Sequence, residues 1–238
     1  MKSRIAIIAG GTGLIGRHLI QELLLDNEWE KVYVLVRKPS PWEHSKLVPI
    51  QMNWDDLQSY HFPKDATHAF CALGTTMNRA GSKENFRKVD YQYVIDFAKA
   101  AKSSQITHFS VVSALGADAN SFVFYNKVKG EMEASLKSLG FIYLGIFRPS
   151  LLEGDREEFR FGEKLGSFFA KLINPLLFGP LRKYRSILGF VVAKAMLNAA
   201  WALDGGTFVF ESDKIAELGS ADSRTRISEI LKNILPSN

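Results

Sequence analysis

Short apolar runs alternate with segments of helical periodicity along most of the chain. The run Arg4–Ala9 has the length and branched side chains of a buried strand, and apolar residues at helical spacing follow over Leu14–Leu25. Pro49 places a weaker third run at a strand start or a sheet edge. Alternating strands and helices predict βαβ units, so we expect an α/β fold with a doubly wound parallel sheet. The other predicted strands cover residues 31–36, 47–52, 66–72, 108–113 and 141–147, with helices at 83–102 and 124–139.

The pattern changes after Pro149. Residues 150–190 are rich in Phe, Gly and Pro and hold few clear strands, and helices at 190–203 and 223–233 flank a late strand at 207–211. Ligands of open parallel sheets bind beyond the carboxyl ends of the strands, where this segment begins. We expect a single domain over residues 1–238, with 150–190 as a small C-terminal substrate-cap region. Five apolar residues at helical spacing in the cap indicate core or an oligomer face: Phe161, Leu165, Phe168, Phe169 and Leu172.

A glycine-rich turn, Gly10 to Gly16, joins the first strand to the first helix. A buried strand, a glycine turn and a helix N-terminus form the layout of a dinucleotide phosphate site, because free N–H groups and the helix dipole attract phosphate. Gly10 or Gly11 allows the tight turn. Gly13 leaves the backbone open to a pyrophosphate, and Gly16 lets the helix pack closely on the strand. The sequence therefore predicts nucleotide binding here.

Two basic residues, Arg37 and Lys38, follow the second predicted strand. A site for NAD usually carries an acidic residue there, which bonds the ribose 2′-hydroxyl. A basic strand end suits the 2′-phosphate of NADP instead, so we predict NADP (NADPH/NADP+) in preference to NAD. The alternative is a solvated basic loop.

Ser113, Tyr125 and Lys129 form a second constellation. Ser113 ends the predicted strand at 108–113, and Tyr125 and Lys129 share one face of the next helix because they are four residues apart. A tyrosine serves as general acid or base for a carbonyl/alcohol pair when a nearby ammonium lowers its pKa from about 10. Ser113 could hydrogen-bond and orient the substrate oxygen. These residues are the predicted catalytic set.

Together these motifs resemble the atypical short-chain dehydrogenase/reductases, and most closely their Tat-interacting-protein oxidoreductase branch. The resemblance covers nearly the whole chain and is most specific over residues 71–150. It implies an NAD(P)-binding Rossmann fold, with Ser113, Tyr125 and Lys129 as the catalytic serine, tyrosine and lysine. The segments that carry it include Cys71–Thr76, Arg79–Gly81, Val89–Val94, Gly116–Asp118, Val128–Glu131, Phe147–Pro149 and Ala195–Asn198.

The resemblance also implies cofactor contacts. Lys129 would hold the nicotinamide ribose, and Asn53 would contact adenine in place of the acid that the family often carries there. Arg148, after the sixth strand, is a further candidate, which either pairs an acid locally or points toward the cap. The pyrophosphate and the adenosine ribose would be lined by Gly10, Gly11, Thr12, Gly13, Leu14, Ile15, Leu73, Gly74 and Thr75.

These observations predict an NADP-dependent short-chain dehydrogenase/reductase that moves a hydride between nicotinamide and a carbonyl or alcohol substrate. One alternative is an NADP(H)-sensing regulatory protein with little catalysis, although a sensor does not need both Tyr125 and Lys129. Another is a sugar-nucleotide epimerase or dehydratase, although such enzymes usually have a larger C-terminal lobe than this chain can supply.

Composition limits the remaining possibilities. The single cysteine, Cys71, and an N-terminus without a signal-peptide pattern predict a cytoplasmic location. No apolar run reaches the roughly 18–20 residues of a membrane span. The five histidines lack metal-ligand spacing, so we predict no metal. The net charge of +5 is mild, and the basic cluster at 182–185 has no aromatic base-stacking motif beside it, so we predict no nucleic acid partner. We predict that the protein is a monomer or a homodimer.

Overall fold

A computed structural model describes residues 4–39, 42–153 and 177–234 of the chain. Within these residues, seven strands form one sheet in which every neighbouring pair is parallel. In chain order they are β1 (Arg4–Ala9), β2 (Trp29–Val36), β3 (Leu47–Gln51), β4 (His68–Cys71), β5 (His108–Val112), β6 (Tyr143–Arg148) and, later, β9 (Gly206–Glu211). A two-stranded sheet is formed by β7 (Leu152–Glu153) and β8 (Ile187–Leu188).

The strand order is β3-β2-β1-β4-β5-β6-β9, so the chain winds outward from β1 in both directions. The predicted doubly wound parallel sheet is confirmed. The winding direction changes between β1 and β4, and the carboxyl ends of such strands leave a crevice for ligands. β3 lies at the sheet edge, where Pro49 stands opposite Val34 of β2, as the proline predicted.

Helices cover both faces of the sheet. They are α1 (Leu14–Leu25), α2 (Met77–Ala80), α3 (Lys83–Arg87), α4 (Tyr93–Ser103), α5 (Phe124–Ser138), α6 (Gly189–Ala202), α7 (Ser212–Gly219) and α8 (Arg224–Ile234). Short 3-10 turns cover Trp54–Ser59 and Gly179–Tyr184. The helix predicted at residues 14–25 is reproduced, whereas α2, α7 and the 3-10 turns were not predicted, because short segments carry too little periodicity.

Alternating residues of β1 supply two hydrophobic cores. Ala6 and Ile8 pack in the core that contains residues of α1, α6, α7 and α8. Ile5 and Ile7 pack in the core that contains residues of α4 and α5. Burial on both faces explains why β1 reads as a continuous apolar run rather than an alternating one.

The prediction of one continuous α-helix over residues 83–102 is wrong in one respect, because a π-helical turn at Lys88–Gln92 separates α3 from α4. Such turns are rare, and apolar spacing does not reveal them. They occur frequently at functional sites. This one carries Asp90, whose side chain is almost fully buried.

An aromatic row lies at the amino ends of β4, β5 and β6. The rings of His68 and His108 have centroids 4.4 Å apart, and Trp29 contacts the His68 ring edge-on at 4.8 Å. Burial, and then the neighbouring His108, lower the pKa of His68 to about 3, so its imidazole is neutral in the fold. Both histidines therefore serve as packing residues at the strand starts.

The predicted cap falls only partly within the described residues. Its described parts are residues 150–153 and 177–190, which contain β7, β8 and the 3-10 turn Gly179–Tyr184. The five apolar residues singled out between positions 161 and 172 lie outside the described residues. No helix in the described part of the chain is long and apolar enough to span a membrane.

Candidate functional site

The glycine turn lies at the carboxyl end of β1. Gly10 has a positive φ of 88°, and a Cβ there would lie 2.5 Å from the carbonyl carbon of Ala72. A Cβ on Gly16 would lie 2.2 Å from the Gly10 carbonyl oxygen, so only glycine lets α1 approach the strand end this closely. The turn and the chain that leaves β4 are therefore in direct backbone contact.

The N-terminus of α1 has no side-chain cap, and its N-cap residue is Gly13. Its first N–H groups are therefore open to an anion. A Cβ on Gly13 would lie 3.3 Å from the Gly10 carbonyl oxygen, a tight contact, so glycine keeps this part of the turn free of a side chain. Thr12 and Gly13 are exposed, whereas Ile15 is buried in the core and could reach a ligand only through its backbone.

The segment after β4 passes beside this turn and rests on a buried acid. The backbone N–H of Thr75 donates to Asp90 Oδ2 at 2.8 Å. A Cβ on Gly74 would lie 3.5 Å from Asp90 Oδ1 and 4.0 Å from Lys129 Nζ. Of the predicted cofactor residues, Gly74 thus lies beside the predicted catalytic lysine, and Thr75 is bonded to the carboxylate that pairs with it.

Lys129 and Asp90 form a buried ion pair, with Lys129 Nζ 2.8 Å from Asp90 Oδ1. Burial alone lowers the pKa of Lys129, but the Asp90 carboxylate and then Tyr125 outweigh it and place the pKa above the ordinary lysine value. Lys129 is therefore an ammonium group inside the protein.

Ser113, Tyr125 and Arg148 line one cleft of about 710 Å³ at the carboxyl ends of β5 and β6. Tyr125 is half-buried, and its ring packs on Phe86 with centroids 5.5 Å apart. The structure thus brings the predicted serine and tyrosine together, with Lys129 one helical turn further along α5. The remaining lining comes from residues Thr76, Ala114, Leu115, Gly116, Asn126, Pro149, Ser150, Leu151, Leu152, Lys183, Tyr184 and Glu211.

The hydroxyl of Ser113 donates to Glu133 Oε1 at 2.5 Å, in a buried contact. Arg148 holds the same carboxylate through two bonds, Nε to Oε1 at 2.9 Å and Nη2 to Oε2 at 2.6 Å. The Glu133 hydrogen bond raises the pKa of Arg148 further. Of the two possibilities stated for Arg148, it pairs an acid locally, and it also faces the cleft.

Gly130 brings the loop after β5 onto α5. A Cβ there would lie 2.1 Å from Ala119 N and 2.2 Å from the carbonyl carbon of Asp118. The Asp118 N–H donates to the Asn126 carbonyl oxygen at 3.1 Å. This close approach fixes the loop that forms one wall of the cleft.

Arg37, Lys38 and Asn53 lie near one another at the carboxyl ends of β2 and β3, since Met52 N–H donates to the Val36 carbonyl oxygen at 3.0 Å. All three are exposed. Asn53 Oδ1 accepts from the backbone N–H of Asp55 at 3.3 Å and caps a 3-10 turn. These residues are available to a ligand but do not form a closed pocket.

Cys71 ends β4 and is fully buried. Burial raises the pKa of its thiol to about 12, so it is an unreactive packing residue in the fold. In the described ranges no cluster of His, Cys, Asp and Glu could hold a metal ion.

Two acids, Asp90 and Glu133, were missed as site residues by sequence reasoning. Both acids lie at positions that helical spacing assigns to the buried face of a helix. Asp90 lies four residues after Phe86, and Glu133 lies four residues after Lys129. A charge on an apolar face was the signal that could have identified them.

The chain is similar to several known proteins. The family model described as NAD(P)H-binding matches residues 10–174. Protein HTATIP2 of Rattus norvegicus is 33% identical over 225 residues, which cover 92% of this chain and 90% of that protein. The protein "fmp52, mitochondrial" of Emericella nidulans is 32% identical over 235 residues, with 92% and 97% covered. The solved structure of human epimerase family protein SDR39U1 with NADPH superposes with a TM-score of 0.60 at 19% identity, covering 86% of this chain and 72% of that one.

The prediction of a cytoplasmic location is wrong by this comparison, because the FMP52 relatives of several fungi are named mitochondrial. The prediction rested on one cysteine and on the N-terminal composition. A single reduced cysteine is compatible with any compartment that keeps thiols reduced, so it could not separate the cytosol from an organelle.

Proposed function

Since the chain belongs to the NAD(P)H-binding family, as a relative of protein HTATIP2 and the FMP52 proteins, we propose that it is an NADP(H)-dependent oxidoreductase. Its substrate is a small carbonyl compound or the corresponding alcohol. The resemblance inferred from the sequence motifs is confirmed at the level of the family. Cofactor preference, catalytic residues and substrate are the proposal.

The observation that carries the proposal is the placement of Ser113 and Tyr125 in one cleft, with Lys129 one helical turn from Tyr125. Tyr125 exchanges the proton with the substrate oxygen. The buried Lys129 ammonium, one helical turn away, stabilises the negative charge that develops on the phenol oxygen during that exchange. Ser113 orients the substrate oxygen. When bound, the nicotinamide supplies or accepts the hydride.

The glycine turn is proposed to seat the cofactor. The α1 N-terminus and the exposed Gly13 fit a pyrophosphate, because no side chain among the described residues caps this end of the helix. Arg37 and Lys38 are proposed to select the 2′-phosphate, which is the group that separates NADP from NAD. The bound NADPH of the human neighbour is consistent with this choice.

We also propose that residues 150–190 cap the substrate within a single domain. Leu151, Leu152, Lys183 and Tyr184 belong to this range and line the cleft. Lys183 Nζ lies 2.9 Å from Glu211 Oε2, so this wall presents a neutral pair rather than a free charge. A wall of this kind suits an uncharged polar or apolar substrate.

The first test is a titration of the purified chain with NADPH, NADH, NADP+ and NAD+, followed by calorimetry and nicotinamide fluorescence. We expect the phosphorylated pair to bind at least about tenfold more tightly, and Arg37→Asp to remove that difference. Lys64→Asp, at an exposed position before the amino end of β4, is the control and should leave the preference intact. Absence of binding to all four nucleotides would overturn the proposal.

The second test is a turnover screen of aldehydes, ketones and alcohols with the wild type and Tyr125→Phe. We expect Tyr125→Phe to lower kcat by about 100-fold or more while nucleotide affinity stays within about threefold. The matched control is Tyr91→Phe. The Tyr91 hydroxyl hydrogen-bonds the Ser135 hydroxyl at 3.0 Å, and Tyr91 is not among the residues that line the cleft. Full turnover in Tyr125→Phe would remove this residue from the mechanism.

A further inference from the structure

Asp90 touches both halves of the proposed site, although neither the motifs nor the proposed mechanism gives it a role. One carboxylate oxygen lies 2.8 Å from Lys129 Nζ. The other accepts the backbone N–H of Thr75 at 2.8 Å. Asp90 therefore joins the predicted catalytic lysine to the segment on which the cofactor is proposed to lie.

The pair is unusually dry, with 1% of the Asp90 side chain and 4% of the Lys129 side chain exposed. Two buried charges gain little stability over an apolar pair of the same volume, because both lose their hydration. Stability alone therefore gives a weak reason for placing this pair next to the cleft. Its position in a π-helical turn, a feature frequent at functional sites, points the same way.

The hydrogen bonds of Lys129 leave room for a ligand. An ammonium group has three N–H donors. Across the described part of the chain, Asp90 is the one hydrogen-bond partner found for Lys129 Nζ. Two donors therefore remain for hydroxyl groups, such as those of a nicotinamide ribose, while Asp90 fixes the third.

Asp90, Tyr125 and Cys71 are the titratable groups that face Lys129. The Cys71 thiol stays neutral, since burial raises its pKa to about 12. Asp90 is the carboxylate among these three groups, and it is the one in ion-pair contact with the buried ammonium.

We propose that Asp90 is a positioning residue of this site, which keeps Lys129 charged and ties it to the backbone of Thr75. The inference rests on the proposed function, because it assigns Asp90 to the cofactor seat of that same site. A buried lysine without its carboxylate loses its proton easily. Loss of Asp90 should therefore make cofactor binding sensitive to alkaline pH.

The test measures the Kd of NADPH by nicotinamide fluorescence between pH 7 and 9.5. All variants carry Tyr125→Phe, so that the phenol does not titrate. The parent is compared with the added substitutions Asp90→Asn, Lys129→Met, and both together. Circular dichroism and thermal melting report whether each variant is folded.

We expect the Kd of the parent to change less than about threefold over this range, and that of the Asp90→Asn variant to rise by at least about tenfold. Lys129→Met should bind weakly at every pH. Adding Asp90→Asn to Lys129→Met should change the Kd by less than about twofold, because Asp90 acts through the lysine.

A merely structural role for Asp90 gives a different result. Asp90→Asn would then weaken binding equally at every pH, or would weaken the Lys129→Met variant further, and either result overturns the inference. If Asp90→Asn alone fails to fold, the comparison of the double variant with Lys129→Met still decides, since neither protein contains the buried ammonium. A wild-type chain that binds no NADPH would overturn the proposed function first, and the four-nucleotide titration of the wild type reveals that separately.

Discussion

The hydroxyl oxygen of Ser113 lies 2.5 Å from Oε1 of Glu133, so the proton of the proposed catalytic serine is directed into the protein. The Ser113 oxygen consequently faces the cleft with its lone pairs. A substrate hydroxyl can donate to it directly, whereas a substrate carbonyl must first draw the serine proton away from Glu133. The serine is held by a carboxylate that is itself held by Arg148.

Loss of the Glu133 charge should destabilise the fold. Its side chain is 3% exposed and that of Arg148 is 21% exposed, so Glu133→Ala strands a largely desolvated guanidinium. We expect the free energy of unfolding to fall by on the order of 3 kcal/mol, measured by urea denaturation. The matched control is Glu131→Ala, whose partner Arg87 is 45% exposed, and it should cost less than about 1 kcal/mol. Equal losses for both would contradict this account.

Gly130→Ala should destabilise the chain although alanine is the better helix former by about 1 kcal/mol. The new Cβ would lie 2.1 Å from Ala119 N, and backbone atoms cannot move aside as a flexible side chain can. We expect a net loss of about 1–3 kcal/mol in the free energy of unfolding. Lys127→Ala, at an exposed position of the same helix, should change stability by less than about 0.5 kcal/mol. A stabilised Gly130→Ala protein would show that the loop at 116–119 moves away from α5 to accommodate the new methyl group.

Alanine substitutions at Gly13 and Gly16 should distinguish an effect on ligand binding from an effect on fold stability. Gly16→Ala drives a methyl group into the Gly10 carbonyl oxygen at 2.2 Å, so we expect a lower melting temperature and loss of binding together. Gly13→Ala brings a methyl group to 3.3 Å from the Gly10 carbonyl oxygen, a tight contact that a small backbone shift relieves, so the melting temperature should fall less than in Gly16→Ala, while NADPH affinity falls at least about tenfold. Melting curves with and without NADPH test both. Tight binding by Gly13→Ala would remove the pyrophosphate from this turn.

Acid should weaken the fold through His68. Its pKa is lowered to about 3 in the fold and lies near 6.5 in the unfolded chain, so only the unfolded chain takes up the proton between these values. This contribution is full above about pH 6.5 and is lost at about 1.4 kcal/mol per pH unit as the pH falls toward 3. Urea denaturation from pH 4 to 8 measures it. His68→Gln should flatten the slope relative to the wild type, whereas His44→Gln, at an exposed position, should not.

The sequence predicts those parts of the fold that local periodicity determines. Leu14–Leu25 forms the predicted helix to the residue, because an apolar face and a glycine turn mark its start. Residues 83–102 show what periodicity omits, since a π-helical turn keeps a helical appearance while it changes which residue is buried. The short strands β7 and β8 depend on contacts across the chain and leave no local pattern.

The candidate site divides in the same way. Ser113, Tyr125 and the glycine turn follow from residue type and spacing, and the structure places Ser113 and Tyr125 in one cleft. The acids that hold the site together do not follow, because Asp90 and Glu133 gain their meaning from partners 39 and 20 residues away, namely Lys129 and Ser113. Helical spacing can mark each acid as a charge on a buried face, but it does not identify the partner that the acid meets.

The buried thiol of Cys71 lets opening of the fold be measured in the wild-type chain itself. It is the single cysteine, it is fully buried, and it lies on the strand beside the cofactor turn. A thiol reagent can label it only when the central sheet opens, so the labelling rate counts opening events without any engineered probe. A nucleotide that binds the folded state should slow that rate in proportion to its occupancy, which turns one buried sulfur into a ligand assay that needs no known substrate.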